Sequence, residues 1–318
     1  FGMTTGLMAQ HDTTKSLQEV IVYANKFPAL SKNIVQTIGL ITDKNLIQQQ
    51  ANVADILTAS GQLFVQKSQL GGGSPVIRGF EASRVLLMID GIRMNSAIFR
   101  AGHLQNIITV DNMILDRMEV LYGPSSTLYG SDALGGVVNL YTKNPKLNTG
   151  AAWKTNGNIA LRYANGQNEQ REHVDINIAN NKWAFLTSFT NSKFGDLRQG
   201  NNRSAAYPDF GKRLFYVTSQ NGTDIVNSNT SNVNIQKTTG YTQTDLLQKV
   251  LYKPDENTEH VLNIQLSNSS NINRYDRLTE TGANGLPTYA EWYYGPQVRN
   301  MVGYNFNKTK LKGYFQEL

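Results

Sequence analysis

The sequence contains no cysteine, which excludes a disulfide framework, a thiolate metal site and a cysteine nucleophile. Long apolar runs are also missing, and no stretch approaches the roughly 18 apolar residues that a transmembrane helix needs. The net charge is +6, but the basic residues form no clustered stripe of the kind that nucleic-acid binding requires. A membrane protein is still possible, because a transmembrane barrel is built from alternating strands of about 10 residues with weak hydropathy.

The N-terminal segment predicts export. Residues 1–10 read FGMTTGLMAQ, moderately apolar and then small, which is typical of the end of a secretory signal peptide. A flexible tail is the alternative interpretation. Residues 11–29 form a polar leader around the short β-prone word EVIVY at 19–23.

Residues 30–148 have a mixed α/β pattern and the size of one compact domain. An early strand is followed by a helix start, with Thr42 or Asp43 as the candidate N-cap. Val85–Ile89 reads as a buried strand, and Asp90-Gly91 after it is a strong hairpin signal. The sequence predicts a domain with both strands and short helices.

Residues 149–318 alternate apolar and polar side chains, which predicts about seven antiparallel strands. The long polar stretches near 195–241 and 273–296 fit an outer-membrane barrel, with short turns on one rim and long loops on the other. A secreted β-sandwich is the alternative, but it would have short connections at both ends. Seven strands leave two open edges, which lipid does not tolerate, so we expect a truncated piece of a larger barrel. The predicted strands are 157–165, 170–179, 182–193, 241–253, 259–271, 296–306 and 309–318.

The glycine-rich stretch at 122–143 raises the question of a phosphate-binding loop. Gly130 and Gly135 have the right spacing, but Gly136 and Val137 stand where such a loop needs lysine and a hydroxyl residue. The glycines therefore predict a tightly packed turn rather than a nucleotide site.

Four segments together resemble the TonB-dependent outer-membrane receptors. They are EVIVYAN at 19–25, PVIRGF at 75–80, VLLMIDGIRMN at 85–95 and the run from 116 to 145 that contains EVLYGPSSTLYGSDALGGVVNLYTK. Their order and distances are similar to those of the family. The resemblance implies a mixed α/β plug domain at 30–148, followed by the first antiparallel transmembrane strands of a barrel of about 22 strands. It also implies a monomer in the bacterial outer membrane that imports a scarce nutrient and is not an enzyme.

The same resemblance identifies the word at 19–23 as a TonB box. Such a segment adds as a strand to the sheet edge of a TonB-type periplasmic partner, which requires an extended, unpaired, β-prone chain. An ordinary edge strand is the alternative. The predicted TonB-binding residues are Glu19, Val20, Ile21, Val22 and Tyr23.

The cargo prediction rests on a likeness to the haem and haemoglobin receptors. GHLQN at 102–106 resembles their plug motif, in which the histidine is an axial ligand of haem iron, and this implies His103 as a metal ligand. Phe99 and Arg100 lie on the same loop and are further candidate ligand contacts. A solvated structural histidine is the alternative. The segment 274–297 resembles an outer loop of these receptors, and its aromatic patch of Tyr289, Trp292, Tyr293 and Tyr294 suits a flat apolar ligand or an interfacial girdle.

Three hypotheses about function follow. The first is an energised importer of haem or a related iron compound, with haem as transported ligand rather than resident cofactor, taken up free or from a haem protein. The second is the same architecture for a siderophore, cobalamin, a copper chelate or an oligosaccharide. The third is a passive porin or surface adhesin in outer-membrane lipid, which would need neither a plug nor a TonB box.

Overall fold

The computed structural model describes residues 21–22, 29–30, 36–67, 69–94 and 106–311. Its two main sheets have five and six strands. The elements of the N-terminal part are β1 (Ile21–Val22), β2 (Ala29–Leu30), β3 (Ile38–Ile41), α1 (Lys44–Gln49), α2 (Val53–Ala59), β4 (Phe64–Gln66), β5 (Ser74–Val76), β6 (Val85–Ile89), β7 (Ile92–Arg93), β8 (Leu115–Tyr122), α3 (Ser126–Tyr129) and β9 (Gly136–Thr142).

The five-stranded sheet of this part has the order β3-β8-β9-β6-β7. β6 and β9 run parallel, whereas every other neighbouring pair is antiparallel. All five residues of β6 are buried, as a continuous apolar run in a covered strand predicts. The predicted hairpin at Asp90-Gly91 is present, with both residues in the left-handed region at φ 47° and 84°.

Two short helices cover one face of this sheet. The Asp43 carboxylate caps α1 by accepting from the backbone N–H groups of Asn45 and Leu46, which confirms one of the two predicted caps. The Asn52 side chain caps α2 in the same way by accepting from the backbone N–H of Asp55. α2 buries Val53, Ala54, Ile56 and Leu57 in the main apolar core.

The glycine-rich stretch forms a packed turn between β8 and β9, as predicted. A short helical segment, α3, and a 3-10 turn at Ser131–Ala133 fill it. Gly136 opens β9 at φ 152°, and a Cβ there would lie 2.3 Å from the carbonyl oxygen of Leu121. This position therefore excludes every side chain.

The C-terminal part consists of long strands and the loops between them. Its elements are β10 (Lys154–Ala164), β11 (Glu169–Ala179), β12 (Trp183–Phe194), β13 (Leu197–Arg198), β14 (Phe215–Gln220), β15 (Thr223–Ser228), β16 (Ile235–Gln236), β17 (Tyr241–Asp255), β18 (Thr258–Ser269), β19 (Ile272–Asn273), α4 (Tyr275–Leu278), β20 (Tyr293–Tyr294) and β21 (Val298–Lys308).

Six of these strands form one antiparallel sheet, in the order β10-β11-β12-β17-β18-β21. They lie where the alternating pattern predicts strands, whereas most of the predicted strand 309–318 falls outside the described residues. Side chains alternate between the two faces, so one face is apolar and exposed and the other polar and buried. The apolar face includes Ile159, Leu161, Ile176, Ile178, Phe189, Leu266, Val302 and Tyr304.

The connections differ at the two ends of this sheet. At one end, residues 180–182 and 256–257 make short turns. At the other end lie two long connections, 195–240 and 270–297. These long loops have their own small sheets, β13-β16, β14-β15 and β19-β20, which satisfy backbone groups that a structureless loop would leave open. Residues 165–168 connect β10 to β11 at this same end. We call 165–168, 195–240 and 270–297 the first, second and third outer loops.

Aromatic side chains line the rim with the short turns. Trp183 stacks on Tyr252 with ring centroids 4.1 Å apart, and Tyr252 lies 5.8 Å from His260. His260 Nδ1 is 2.7 Å from the Tyr304 hydroxyl, and Phe306 packs on the same imidazole. Such rings mark the level at which a membrane protein meets the polar headgroups.

Helices of the described ranges are all too short or too polar to cross a membrane.

Gly136→Ala tests the packed turn. The added Cβ meets the Leu121 carbonyl, and the positive φ is unfavourable for alanine, so we expect a loss of about 2 kcal/mol or more in the free energy of unfolding. Gly166→Ala is the matched control, because open space surrounds that position; we expect a change within about 0.5 kcal/mol. Thermal unfolding in detergent measures both, and equal stability of the two variants would contradict this account of the turn.

Candidate functional site

The buried polar face of the six-stranded sheet packs against the N-terminal domain. The contacts between them include many hydrogen bonds and ion pairs, because most inward side chains of the strands are polar. Apolar contacts are also present, such as the cluster of Ile114 with Leu186 and Leu247.

The polar contacts come from β11, β12, β17, β18 and β21. Arg299 on β21 donates to the carbonyl of Thr109 at 2.8 Å, and Gln243 on β17 donates to the carbonyl of Ile108 at 2.7 Å. Three further places join the sheet to the N-terminal domain. The inward residues are Arg171, His173, Asp175, Ser188, Thr190, Ser192, Gln243, Asp245, Lys249, Asn263, Gln265 and Ser267.

The first place is the carboxylate of Asp90, at the hairpin after β6. It accepts from the backbone N–H and the hydroxyl of Thr142, at 2.9 and 2.6 Å. From the sheet, Asn263 and Gln265 donate to it at 2.8 and 2.9 Å. Buried Lys249 forms an ion pair with it at 3.3 Å. One carboxylate thus joins β6 and β9 to β17 and β18.

The second place is the guanidinium of Arg171, on β11. It donates to the Asn112 side chain at 2.7 Å and to the backbone carbonyl of Ala51. Within its own sheet it contacts Ser192 at 3.1 Å and forms an ion pair with Glu169 at 3.1 Å. The charge is therefore paired, and its remaining donors hold the loop that precedes α2.

The third place combines His173 with Asp111 and Lys143. The His173 ring lies 2.7 Å from the Thr190 hydroxyl and 3.1 Å from Asp175. Thr190 in turn donates to Asp111 of the N-terminal domain at 2.5 Å, and Lys143 donates to Asp175 at 2.8 Å. No group of three or more metal-binding side chains occurs among the described residues. The geometry thus gives His173 a structural role.

These interface residues escaped the sequence-based prediction of site residues. The polar residues occupy every second position of each strand, on the inward face. The alternation that predicts the strands therefore also indicates which residues face the interface. Which plug residue meets which strand residue depends on contacts far apart in sequence, such as Asp90 with Gln265. A single sequence does not reveal such pairs.

The predicted aromatic patch lies on the third outer loop, not on the rim with the aromatic belt. Tyr293 and Tyr294 form β20 and pair with β19. Tyr289 contacts Trp292 edge-on, with centroids 4.7 Å apart. Arg277 lies over the Trp292 ring, and Arg274 over the Tyr294 ring, at 5.4 and 5.3 Å. The structure thus brings the four predicted residues onto one loop and adds two cations to them.

The other predicted site residues lie largely outside the described residues. This holds for Phe99, Arg100 and His103, and for Glu19, Val20 and Tyr23. For the predicted TonB box, only the backbone of β1 is described, and it pairs with β2 over two residues.

The comparisons with known proteins agree with this architecture. Residues 31–137 match the family model of the TonB-dependent Receptor Plug Domain. The chain is 36% identical over 138 residues to the vitamin B12 transporter BtuB of Vibrio vulnificus (strain CMCP6), a match that covers 42% of this chain and 22% of that protein.

Two solved structures have the same fold. The copper transporter OprC matches with a TM-score of 0.60 and 15% identity, over 88% of this chain and 36% of that chain. The ferripyoverdine receptor of the Pseudomonas aeruginosa outer membrane, bound to ferripyoverdine, matches with a TM-score of 0.61 and 14% identity, over 91% of this chain and 34% of that chain. The chain thus spans about a third of these chains and a smaller part of the curated relative.

Residues 31–137 are therefore a TonB-dependent receptor plug domain, and antiparallel strands of the type found in receptor barrels follow it. This confirms the predicted fold class and the outer-membrane location. The likeness to haem receptors stays a prediction.

Asp90→Asn tests the junction of plug and sheet. Asparagine keeps the shape and tolerates the left-handed backbone at φ 47°, but it leaves buried Lys249 without its counter-charge. We expect a loss of about 3 kcal/mol in stability and faster hydrogen exchange in β6 and β9. Adding Lys249→Met should restore part of the loss.

Asp224→Asn is the control for this prediction, because Asp224 is exposed on β15 in the second outer loop. Hydrogen-exchange mass spectrometry of the receptor in detergent gives the readout. Unchanged exchange in β6 and β9 of Asp90→Asn would show that the junction does not hold the plug.

Proposed function

We propose that this chain belongs to an energised outer-membrane importer driven by a TonB-type periplasmic protein. The observation that supports this most is the polar contact of the plug with the strands. Hydrogen bonds and ion pairs can be exchanged for water, so such a plug can be shifted without exposing a large apolar surface. A passive pore or an adhesin has no use for a releasable plug.

The proposed coupling segment is the predicted TonB box, Glu19–Tyr23. Ile21 and Val22 already have strand geometry, and within the described residues they pair with Leu30 and Ala29. Such a short pairing can be exchanged for the sheet edge of a partner, where β-augmentation provides more hydrogen bonds.

The proposed cargo is haem or a related iron compound, free or taken from a haem protein. His103 is the proposed iron ligand, with Phe99 and Arg100 as neighbouring contacts. The aromatic patch at Tyr289–Tyr294 supports a flat apolar ligand, because offset stacking on such rings is favourable. The two arginines beside these rings are paired with Asp276 and Glu280, so the rings themselves carry this support.

Cobalamin is the second candidate cargo. The 36% identity with a protein named as a vitamin B12 transporter favours it. The two cargoes differ in what His103 would do, because the haem proposal requires an imidazole–iron bond.

Val22→Pro tests the energised mechanism. Proline removes the backbone donor that strand addition needs, so we expect uptake to be abolished while cargo binding stays unchanged. Val22→Thr is the matched control, since it keeps the donor and the β-branched shape. Uptake of radiolabelled haem and cobalamin by cells gives the readout, and normal transport by the proline variant would exclude coupling through this segment.

His103→Ala tests the haem assignment. We expect at least tenfold weaker haem binding and a shift of the Soret band, because an axial ligand is lost. His260→Ala serves as control, since His260 lies in the aromatic rim. Absorption spectra of the full-length receptor measure both. If the wild type and His103→Ala have identical haem spectra and the receptor binds cyanocobalamin instead, the cargo assignment moves to cobalamin.

A further inference from the structure

Arg213, in the second outer loop, is a buried cation without a counter-charge. Only 4% of its surface is exposed. Its Nε is buried without a hydrogen-bond partner, and no ion pair of the guanidinium occurs in the described part of the chain. Other buried arginines differ, since Arg171 pairs with Glu169 and Arg274 with Asp276.

The backbone around Arg213 is held firmly. The Arg213 N–H donates to the carbonyl of Val233 at 2.7 Å, and Leu214 accepts from Asn229 at 2.8 Å. The Gln236 amide donates to the carbonyl of Gly211 at 2.8 Å. The backbone that carries the Arg213 side chain is therefore fixed within its loop.

The cost of this arrangement is high. An unpaired charge loses its hydration on burial, and arginine keeps its proton in proteins, so it cannot become neutral. Burial lowers the pKa of Arg213, and only the Tyr275 phenol opposes this effect. The buried side-chain oxygen of Gln236 also lacks a partner. This amide could give Arg213 a hydrogen bond, but it carries no charge that would balance the guanidinium.

The surroundings of Arg213 belong to the outer side of the protein. Tyr275 begins α4 of the third outer loop, and Asn273 of this loop donates to the Thr238 carbonyl of the second at 2.5 Å. Asn273 pairs with Tyr293, within the aromatic patch. The cation thus lies on the same two-loop unit as the patch.

We propose that Arg213 binds a carboxylate of the transported ligand, which enters between the second and third outer loops. A guanidinium fork matches a carboxylate in geometry and charge, and the low dielectric of a buried site strengthens the pair. The inference rests on the proposed import function and adds a feature of the cargo: an aromatic or apolar body with at least one carboxylate. Haem, with its propionates, has this chemistry.

Unfolding of the ligand-free, full-length receptor is the first test. Removing an unpaired buried charge stabilises a protein, whereas removing a paired one destabilises it. We therefore expect Arg213→Gln to raise the unfolding midpoint by about 2 °C or more. Arg198→Gln, at an exposed arginine of the same loop, should leave it unchanged. An equal or lower midpoint, or failure of Arg213→Gln to fold, would overturn the proposal, because an acid of the protein itself would then compensate Arg213.

Citrate is the probe for the carboxylate. It should raise the unfolding midpoint of the wild type and of Arg198→Gln. For Arg213→Gln the half-saturating citrate concentration should be at least about tenfold higher than for the wild type. For Arg213→Lys it should lie between those two values. Equal responses of wild type and Arg213→Gln would overturn the proposal even if the first test supports it.

Haem and its dimethyl ester separate this inference from the proposed cargo. If both proposals hold, the wild type prefers haem to the ester by about tenfold or more, and Arg213→Gln loses this preference. If the wild type binds neither compound, the haem assignment fails, while the unfolding and citrate results still decide the role of Arg213.

Discussion

Polar groups that are removed from water need partners, and this constraint governs how the two parts of the chain fit together. The inner face of the six-stranded sheet presents arginine, lysine, histidine and amide side chains in a buried setting. Each of these groups would be costly without a partner. Plug residues such as Asp90, Asp111 and Asn112 supply those partners. Sheet and plug are thus complementary in charge, and neither polar surface is satisfied alone.

The apolar part of the structure has a different distribution. Within the plug, apolar side chains form a continuous core around α2 and β6. In the strands most of them face outward, where lipid replaces water, and a few such as Leu186 and Leu247 pack inward on the plug. The strands are therefore apolar outside and polar inside, the reverse of a soluble sheet protein. This inversion explains how a chain with no long apolar run can belong to a membrane.

Local features were accessible from the sequence, and distant contacts were not. The Asp43 cap, the Asp90-Gly91 hairpin and the glycine turn are decided by a few adjacent residues, so their chemistry was readable. The six strands were readable because their period of two is strong. The partners of Asp90, and the isolation of Arg213, depend on loops brought together by the fold, and no spacing in the sequence indicates them. The aromatic patch was identified by composition, whereas its two arginine neighbours depend on the pairing of β19 with β20.

The aromatic rim has a mechanical consequence. Contacts such as Asp90 with Lys249 join the plug to the strands. A force that pulls on the plug would therefore also pull on the sheet. Trp183, Tyr252, His260 and Tyr304 form a nearly continuous row at the rim with the short turns. Rings that prefer the headgroup level resist displacement in either direction along the membrane normal. The row therefore holds the sheet at a constant depth in the membrane.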